Sequence, residues 1–131
     1  MSKVLIAEDN VDNTEILTDL LGDEGYDVIS AGNAADVVSA AKIEQPDLIL
    51  MDLQMPDSAE AVGLNNEAGL EATLSLRSDP DTRSIPIIAL TGYDTIGLRA
   101  EIEAAGCDAI GAKPYEFAAL LKTVADLIAR S

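Results

Sequence analysis

Five short apolar runs, separated by longer amphipathic stretches, constrain the fold of this chain more than any other feature of its sequence. The runs are Val-Leu-Ile-Ala (4–7), Val-Ile-Ser-Ala (28–31), Leu-Ile-Leu-Met (48–51), Ile-Ile-Ala-Leu (87–90) and Ala-Ile-Gly-Ala (109–112). Each run has the length and composition of a buried strand. Strands that alternate with helices form a parallel sheet covered by helices on both faces, because right-handed crossovers pack each helix back onto the sheet. We therefore predict an α/β fold with five strands and five helices.

The stretches between the runs carry the apolar spacing of helices. The clearest is the last, where one stripe contains Phe117, Leu120, Leu121, Val124, Leu127 and Ile128. Asn33 is a typical capping residue ahead of the second helix, and Gly25 is a typical stop after the first. The third helix is predicted over residues 70–77, with Leu70 and Leu74 on one face.

Composition narrows the class of protein. The 131 residues fit a single domain, which we expect over residues 1–131, and 48% of them are hydrophobic, enough for a core. A formal net charge of −16 disfavours direct binding of nucleic acid or of an acidic membrane surface, since phosphate contacts need Lys and Arg. The sequence lacks a signal peptide's apolar region and any apolar run of about 18 residues, and it has one cysteine. We expect a cytoplasmic protein with no membrane insertion.

Polar side chains follow four of the predicted strands: Glu8 and Asp9 the first, Asp52 the third, Thr91 the fourth and Lys113 the fifth. Ligands of such sheets bind at the carboxyl ends of the strands, so we expect these side chains to meet. Three carboxylates would raise one another's pKa, a conflict that a hard cation such as Mg²⁺ removes. The set predicts phosphoryl transfer, with Asp52 as the nucleophile and with Thr91 and Lys113 contacting phosphoryl oxygens.

Each of these residues also has a plain structural interpretation. Glu8, Asp9 and Asn10 could simply cap the first helix, and Asp52 could be a capping or surface carboxylate at the end of a strand. Thr91 and Lys113 could be ordinary boundary residues. All of these interpretations would have to hold together by coincidence, so the sequence favours a functional site.

Four segments resemble the receiver domains of response regulators in two-component signalling. They are Val-Leu-Ile-Ala-Glu-Asp-Asn (4–10), Asp-Leu-Ile-Leu-Met-Asp-Leu-Gln-Met-Pro (47–56), Ile-Pro-Ile-Ile-Ala-Leu-Thr (85–91) and Ala-Lys-Pro (112–114). Each motif alone is weak, but the four occur in the right order and spacing and cover essentially the whole chain. The resemblance implies a flavodoxin-like, doubly wound parallel sheet with strand order 2-1-3-4-5, an order that receivers themselves exemplify.

The resemblance also implies roles for individual residues. Asp52 would be the phosphoacceptor, phosphorylated by a sensor histidine kinase or a histidine phosphotransfer protein. Asp9, Asp52 and the backbone carbonyl of Gln54 would bind Mg²⁺ directly, and Glu8 would act on the metal through water. We expect no second domain after Ser131, and therefore a stand-alone receiver that signals by partner binding or phosphorelay and is not a turnover enzyme. The sequence does not identify the downstream protein partner.

Two other functions stay open at this stage. A degenerate receiver could serve as a constitutive interaction module, although Asp9, Asp52, Thr91 and Lys113 are all present. A hydrolase of the phosphoaspartyl type would typically carry a second Asp two residues after the nucleophile, where this chain has Gln54.

The chain departs from the family pattern in the loop after the third strand. Members usually carry a short turn between the Pro of Met-Pro and the next Gly, whereas here Gly69 stands 13 positions after Pro56. The insertion, approximately residues 57–68, is acidic and rich in turn residues. It is either a tolerated surface loop or a segment that modulates kinase access. Ile110 stands where the family often has an aromatic residue, which puts the family's usual threonine–aromatic switch in doubt.

Overall fold

Strands and helices alternate along the chain in the computed structural model, which describes residues 2–61, 63, 65, 67–91, 99–112 and 116–130. The elements are β1 (Lys3–Ala7), α1 (Val11–Asp23), β2 (Asp27–Ala31), α2 (Ala34–Glu44), β3 (Leu48–Asp52), α3 (Ala68–Arg77), β4 (Ile87–Thr91), α4 (Arg99–Ala105), β5 (Ala109–Ala112) and α5 (Phe117–Arg130). The strands form one parallel sheet in the order β2-β1-β3-β4-β5. The predicted flavodoxin-like α/β fold and its strand order are confirmed.

The sheet register aligns the carboxyl ends of the central strands. Ala7, the last residue of β1, pairs with Met51 of β3, so Glu8, which follows β1, and Asp52, the last residue of β3, lie at the same level. Asp52 in turn pairs with Leu90, one residue before the end of β4. The register therefore brings the polar strand ends to one edge of the sheet.

Alternate side chains of the central strands pack against opposite faces. One core cluster lies under α2 and α3 and includes Leu5, Ile49, Met51, Ile87, Val37 and Leu76. The other lies under α1 and α5 and includes Val4, Ile6, Leu48, Leu50, Ile88, Leu17 and Val124. Strands that are buried on both faces need apolar residues at every position, and this requirement explains the continuous apolar runs of the sequence.

The helices bury narrower stripes than their apolar residues suggest. α3 begins at Ala68, two residues before the predicted start, and it buries Leu70 and Leu76. Leu74, which was predicted to share a face with Leu70, is 52% exposed. Ile16 of α1 is likewise largely exposed. Apolar spacing thus located the helices without showing which apolar side chains the core would cover.

Glycines end two of the helices where a left-handed backbone is needed. Gly25, the predicted stop after α1, has φ +89°, and Gly106 has φ +106° directly after α4. The helix predicted from Thr95 is described only from Arg99 onward, and residues 95–98 lie outside the described residues. Within the described part of the chain, no helix has the length and apolar character of a membrane span.

Candidate functional site

Three carboxylates converge at the carboxyl ends of β1 and β3. Glu8 and Asp9 directly follow β1, and Asp52 is the last residue of β3. One carboxylate oxygen from each of the three residues lies within 4.8 Å of the other two. Glu8 and Asp52 are each only 5% exposed, whereas Asp9 is exposed. The structure therefore gathers negative charge at a partly buried point, where a cation would relieve the repulsion.

Hydrogen bonds from the start of α1 hold Glu8 in place. Glu8 Oε1 accepts from the backbone N–H of Asn10 at 3.2 Å and from Asn13 Nδ2 at 3.3 Å. The capping residue of α1 is Asn10, whose Oδ1 accepts from the Asn13 N–H at 3.1 Å. The cap therefore belongs to Asn10, and it leaves Glu8 and Asp9 to point their carboxylates toward Asp52.

Contacts on two sides hold Asp52 in place. Asp52 Oδ1 accepts from the Gln54 N–H at 3.0 Å. On the other side, the Gly69 N–H donates to the Leu53 carbonyl at 3.1 Å, so the first turn of α3 lies directly against the end of β3. A Cβ at position 69 would meet the Asp52 carbonyl oxygen and lie 2.7 Å from Leu53 Cα. Sequence reasoning used Gly69 only to measure the insertion and missed its role in this close approach.

Thr91 and Lys113 were predicted at the same edge. Thr91 is the last residue of β4, is only 2% exposed, and pairs with Ala112, the last residue of β5. Leu90, the residue before it, pairs with Asp52. Thr91 therefore lies at the same edge of the sheet as the carboxylate cluster. Lys113 follows Ala112 in the sequence and lies outside the described residues.

The loop after β3 closes on itself at its base. Met55 and Asn65 form an antiparallel bridge, in which the Asn65 N–H donates to the Met55 carbonyl at 2.9 Å. Asn65 Nδ2 also donates to Asp57 Oδ1 at 2.8 Å. Because the bridge returns the chain to the neighbourhood of Met55, it closes the base of the insertion.

The same loop satisfies the first donors of α2. The Ala34 N–H donates to the Pro56 carbonyl and the Ala35 N–H to the Asp57 carbonyl, each at 3.0 Å. The Asn33 side chain caps the helix by accepting from the Asp36 N–H at 2.9 Å. Unpaired N–H groups at a helix start need such partners, so the base of the insertion is part of the fold.

The one cysteine lies away from this edge. Burial raises the pKa of the Cys107 thiol above its ordinary value, against smaller opposing effects of the Thr73 hydroxyl and the Arg77 charge. Thr73 Oγ1 lies 3.8 Å from the sulfur. Cys107 precedes β5, at the opposite end of that strand from Ala112, so its thiol lies away from the carboxylate edge.

The chemistry of the donor set fits a hard divalent cation. All three converging groups are carboxylate oxygens, with no nitrogen or sulfur ligand among them. Mg²⁺ binds oxygen ligands at about 2.1 Å and keeps several waters, so direct ligands lie at most about 4.2 Å apart. The oxygens of this cluster lie within 4.8 Å of one another, a bound slightly above that separation, so the three carboxylates could hold such an ion partly through water.

Comparisons with known proteins agree with the fold. The chain is 35% identical over 121 residues to the polar-differentiation response regulator DivK of Brucella anthropi, a match that covers 92% of this chain and 91% of that protein. The crystal structure of the receiver domain of a Pseudomonas aeruginosa sensor histidine kinase is 30% identical, with a TM-score of 0.82 and 98% of both chains covered. That structure has a magnesium ion coordinated in its active-site cleft.

A second solved structure, the chemotaxis protein CheY4 of Vibrio cholerae, is 26% identical with a TM-score of 0.83, and the match covers 97% of this chain and 98% of that one. The sequence matches the response regulator receiver domain family over residues 4–125. Members of this family receive a phosphoryl group from histidine kinases or phosphotransfer proteins, and this phosphorylation controls their signalling. With its parallel sheet, its acidic edge and these relatives, the chain belongs to the response regulator receiver domain family and acts in phosphorylation-dependent signalling.

Proposed function

We propose that this chain takes its phosphoryl group on Asp52, from a sensor histidine kinase or a histidine phosphotransfer protein, with Mg²⁺ as the metal. The convergence of Glu8, Asp9 and Asp52 at the sheet edge is the observation that carries this proposal. Asp52 is the member of the cluster that ends the central strand, and the Gln54 N–H and the first turn of α3 hold it there.

The three carboxylates have different roles in holding the metal. Asp9 and Asp52 would hold Mg²⁺ directly, together with the backbone carbonyl of Gln54. Glu8 acts through water, in keeping with an Oε1 that already accepts from Asn10 and Asn13. When bound, Mg²⁺ neutralises charge on the transferring phosphoryl group.

The transfer itself needs only one nucleophile from this chain. A carboxylate oxygen of Asp52 forms the new bond to phosphorus while the bond between phosphorus and the donor's histidine nitrogen breaks, and the product is an acyl phosphate. The Thr91 hydroxyl donates to one phosphoryl oxygen, and the Lys113 ammonium contacts another.

The chain works as a phosphoacceptor that assists its own phosphorylation and dephosphorylation, and it does not turn over an external substrate. Gln54 supports this assignment, because a neutral amide two residues after the nucleophile cannot act as a strong general base for hydrolysis. We further propose one receiver domain over residues 1–131, with its insertion at about residues 57–68. It would act in the cytoplasm and signal by partner binding or phosphorelay.

The direct test is incubation with acetyl phosphate and Mg²⁺, followed by intact mass spectrometry. The wild-type protein should gain one phosphoryl group, and Asp52→Asn should gain none while its circular dichroism and melting stay intact. Asp47→Asn is the matched control, because Asp47 precedes the same strand at its opposite end and binds the Lys3 N–H at 2.7 Å. That variant should be labelled like the wild type.

Each alternative predicts a different result. A constitutive interaction module would show no labelling of the wild type. A phosphoaspartyl hydrolase would release many equivalents of phosphate from a phosphomonoester. Full labelling of Asp52→Asn would remove Asp52 from the role of phosphoacceptor.

A further inference from the structure

A groove between α3 and α4 stands apart from the carboxylate edge. Its volume is about 320 Å³, and its apolar lining consists of Leu70, Leu74, Ala104 and Ala105. Leu70 and Ala105 form the buried floor, at 9% and 6% exposure, while Leu74 stands 52% exposed at the side. An exposed leucine beside a buried apolar floor leaves surface that a partner side chain can cover.

Three carboxylates border this apolar lining. Glu67 immediately precedes α3, Glu71 lies in its first turn, and Glu101 lies in the first turn of α4. All three are exposed, and among the described residues none of them belongs to an ion pair. Acidic residues favour helix N-termini, but that preference does not account for the exposed Leu74 between them.

An apolar groove bordered by carboxylates favours a basic, amphipathic partner. Nucleic acid and a second copy of this chain, whose net charge is −16, would both bring more negative charge to the glutamates. Lys and Arg side chains, by contrast, lay apolar stems along apolar surface while their charged ends reach a carboxylate rim. An amphipathic helix in a groove is an established way of covering such a surface.

We propose that the α3–α4 groove docks a partner protein through a short basic amphipathic segment, with one or two large apolar side chains against Leu70 and Leu74. Lys or Arg residues on the flanks of that segment pair with Glu67, Glu71 and Glu101. The proposal does not depend on phosphorylation of Asp52, because it uses none of the residues assigned to the carboxylate edge.

The test uses the full-length protein and a panel of synthetic helical peptides as probes. The basic peptides carry Leu, Ile, Met or Phe on one face and Lys and Arg on the flanks. One matched peptide replaces the basic residues by Glu, and another replaces the apolar residues by Ser. Binding is measured by fluorescence anisotropy at two salt concentrations, with the protein unphosphorylated and again as Asp52→Asn.

The protein variants separate the groove from the rest of the surface. Leu74→Ser removes the exposed apolar side chain and Glu71→Lys reverses one rim charge. Their controls are Ile43→Ser, at an apolar position on α2 that is still more exposed than Leu74 (77% against 52%), and Asp126→Lys, at an exposed carboxylate on α5. At least one basic peptide should bind, with Kd raised about tenfold by each groove variant, a change worth about 1.4 kcal/mol. The controls should leave Kd unchanged, and affinity should fall as salt rises.

Several results would overturn the proposal. Equal weakening by Asp126→Lys would show attraction to the whole acidic surface, and no binding by any basic peptide would remove the groove as a basic-segment site. Binding of the acidic peptide would contradict the charge argument. Dimerisation that Leu74→Ser abolishes would make a second copy the occupant. All four results are independent of labelling by acetyl phosphate, so this proposal and the phosphoacceptor proposal can fail separately.

Discussion

The carboxylate edge and the α3–α4 groove are both acidic, yet they are built in opposite ways. At the edge, Glu8 and Asp52 are 5% exposed and their oxygens lie within 4.8 Å of each other and of Asp9. At the groove, the carboxylates of Glu67, Glu71 and Glu101 are exposed and surround an apolar floor. Acidic residues thus converge on one point at the edge, whereas at the groove they are spread around an apolar surface.

This difference matters because geometry decides what neutralises an acidic cluster. Converging, partly buried carboxylates repel one another strongly, and a small hard cation can neutralise all of them at once. Dispersed, solvated carboxylates repel one another weakly and are screened by salt. They can therefore pair separately with several Lys or Arg side chains of one polypeptide. We therefore assign metal and phosphoryl chemistry to the edge and polypeptide recognition to the groove.

The largest expected effect separates the two regions by their response to Mg²⁺. At a concentration one hundred times its Kd, Mg²⁺ should stabilise the wild-type protein by about 2.7 kcal/mol. Asp9→Ala should lose most of that gain, whereas Glu101→Gln should keep it, since Glu101 lies on the groove rim. Thermal melts with and without Mg²⁺ make the measurement. A smaller gain in Glu101→Gln than in Asp9→Ala would reverse the assignment of the two clusters.

An effect of similar or smaller size is expected at Gly69, where α3 packs against the end of β3. A methyl group there would press on the Asp52 backbone, so Gly69→Ala should destabilise the fold by about 1–3 kcal/mol and slow labelling by acetyl phosphate. Gly22→Ala is the control, because a Cβ at that helical position meets nothing within 4 Å. It should stabilise the protein by about 0.5–1 kcal/mol.

Urea denaturation of the two glycine variants measures both changes in the free energy of unfolding. Equal stability changes in the two variants would show that α3 does not pack against Asp52 as closely as the structure indicates.

The smallest effect is expected from the loop beside the edge. Replacing residues 58–64 by a short turn keeps Pro56, Asp57 and Asn65. The carbonyls that accept from the first N–H groups of α2, and the contacts at the base of the loop, are then retained. The free energy of unfolding should change by no more than about 1 kcal/mol, because loop length has a weak entropic effect. Labelling by acetyl phosphate should stay near the wild-type rate. Lost labelling in a folded variant would make the insertion part of the site.

The sequence predicted the elements well because most of them follow from local patterns. Buried strands at Leu48–Asp52 and Ile87–Thr91 read as apolar runs, and Asn33 could be recognised as a cap by its residue type. The carboxylates were found because parallel strands bring their carboxyl ends together, a rule that needs no atomic detail.

Features that depend on distant contacts could not be predicted in this way. Nothing in the sequence shows that the carbonyls of Pro56 and Asp57 complete the start of α2, since these residues are far from Ala34 along the chain. Leu74 lines the groove beside Leu70, as their shared face predicted, but its exposure depends on how α4 packs beside α3, which apolar spacing does not show. The groove was missed for the same reason.

The most direct test of the central claim locates the phosphoryl group chemically on the wild-type protein. After labelling with acetyl phosphate and Mg²⁺, borohydride reduces an acyl phosphate of aspartate to homoserine, and peptide mass spectrometry then identifies the converted position. The account predicts conversion at Asp52 alone, and only when Mg²⁺ was present during labelling. Conversion at Asp9 or Asp57, or a phosphoryl group that resists reduction on a serine or threonine, would contradict it.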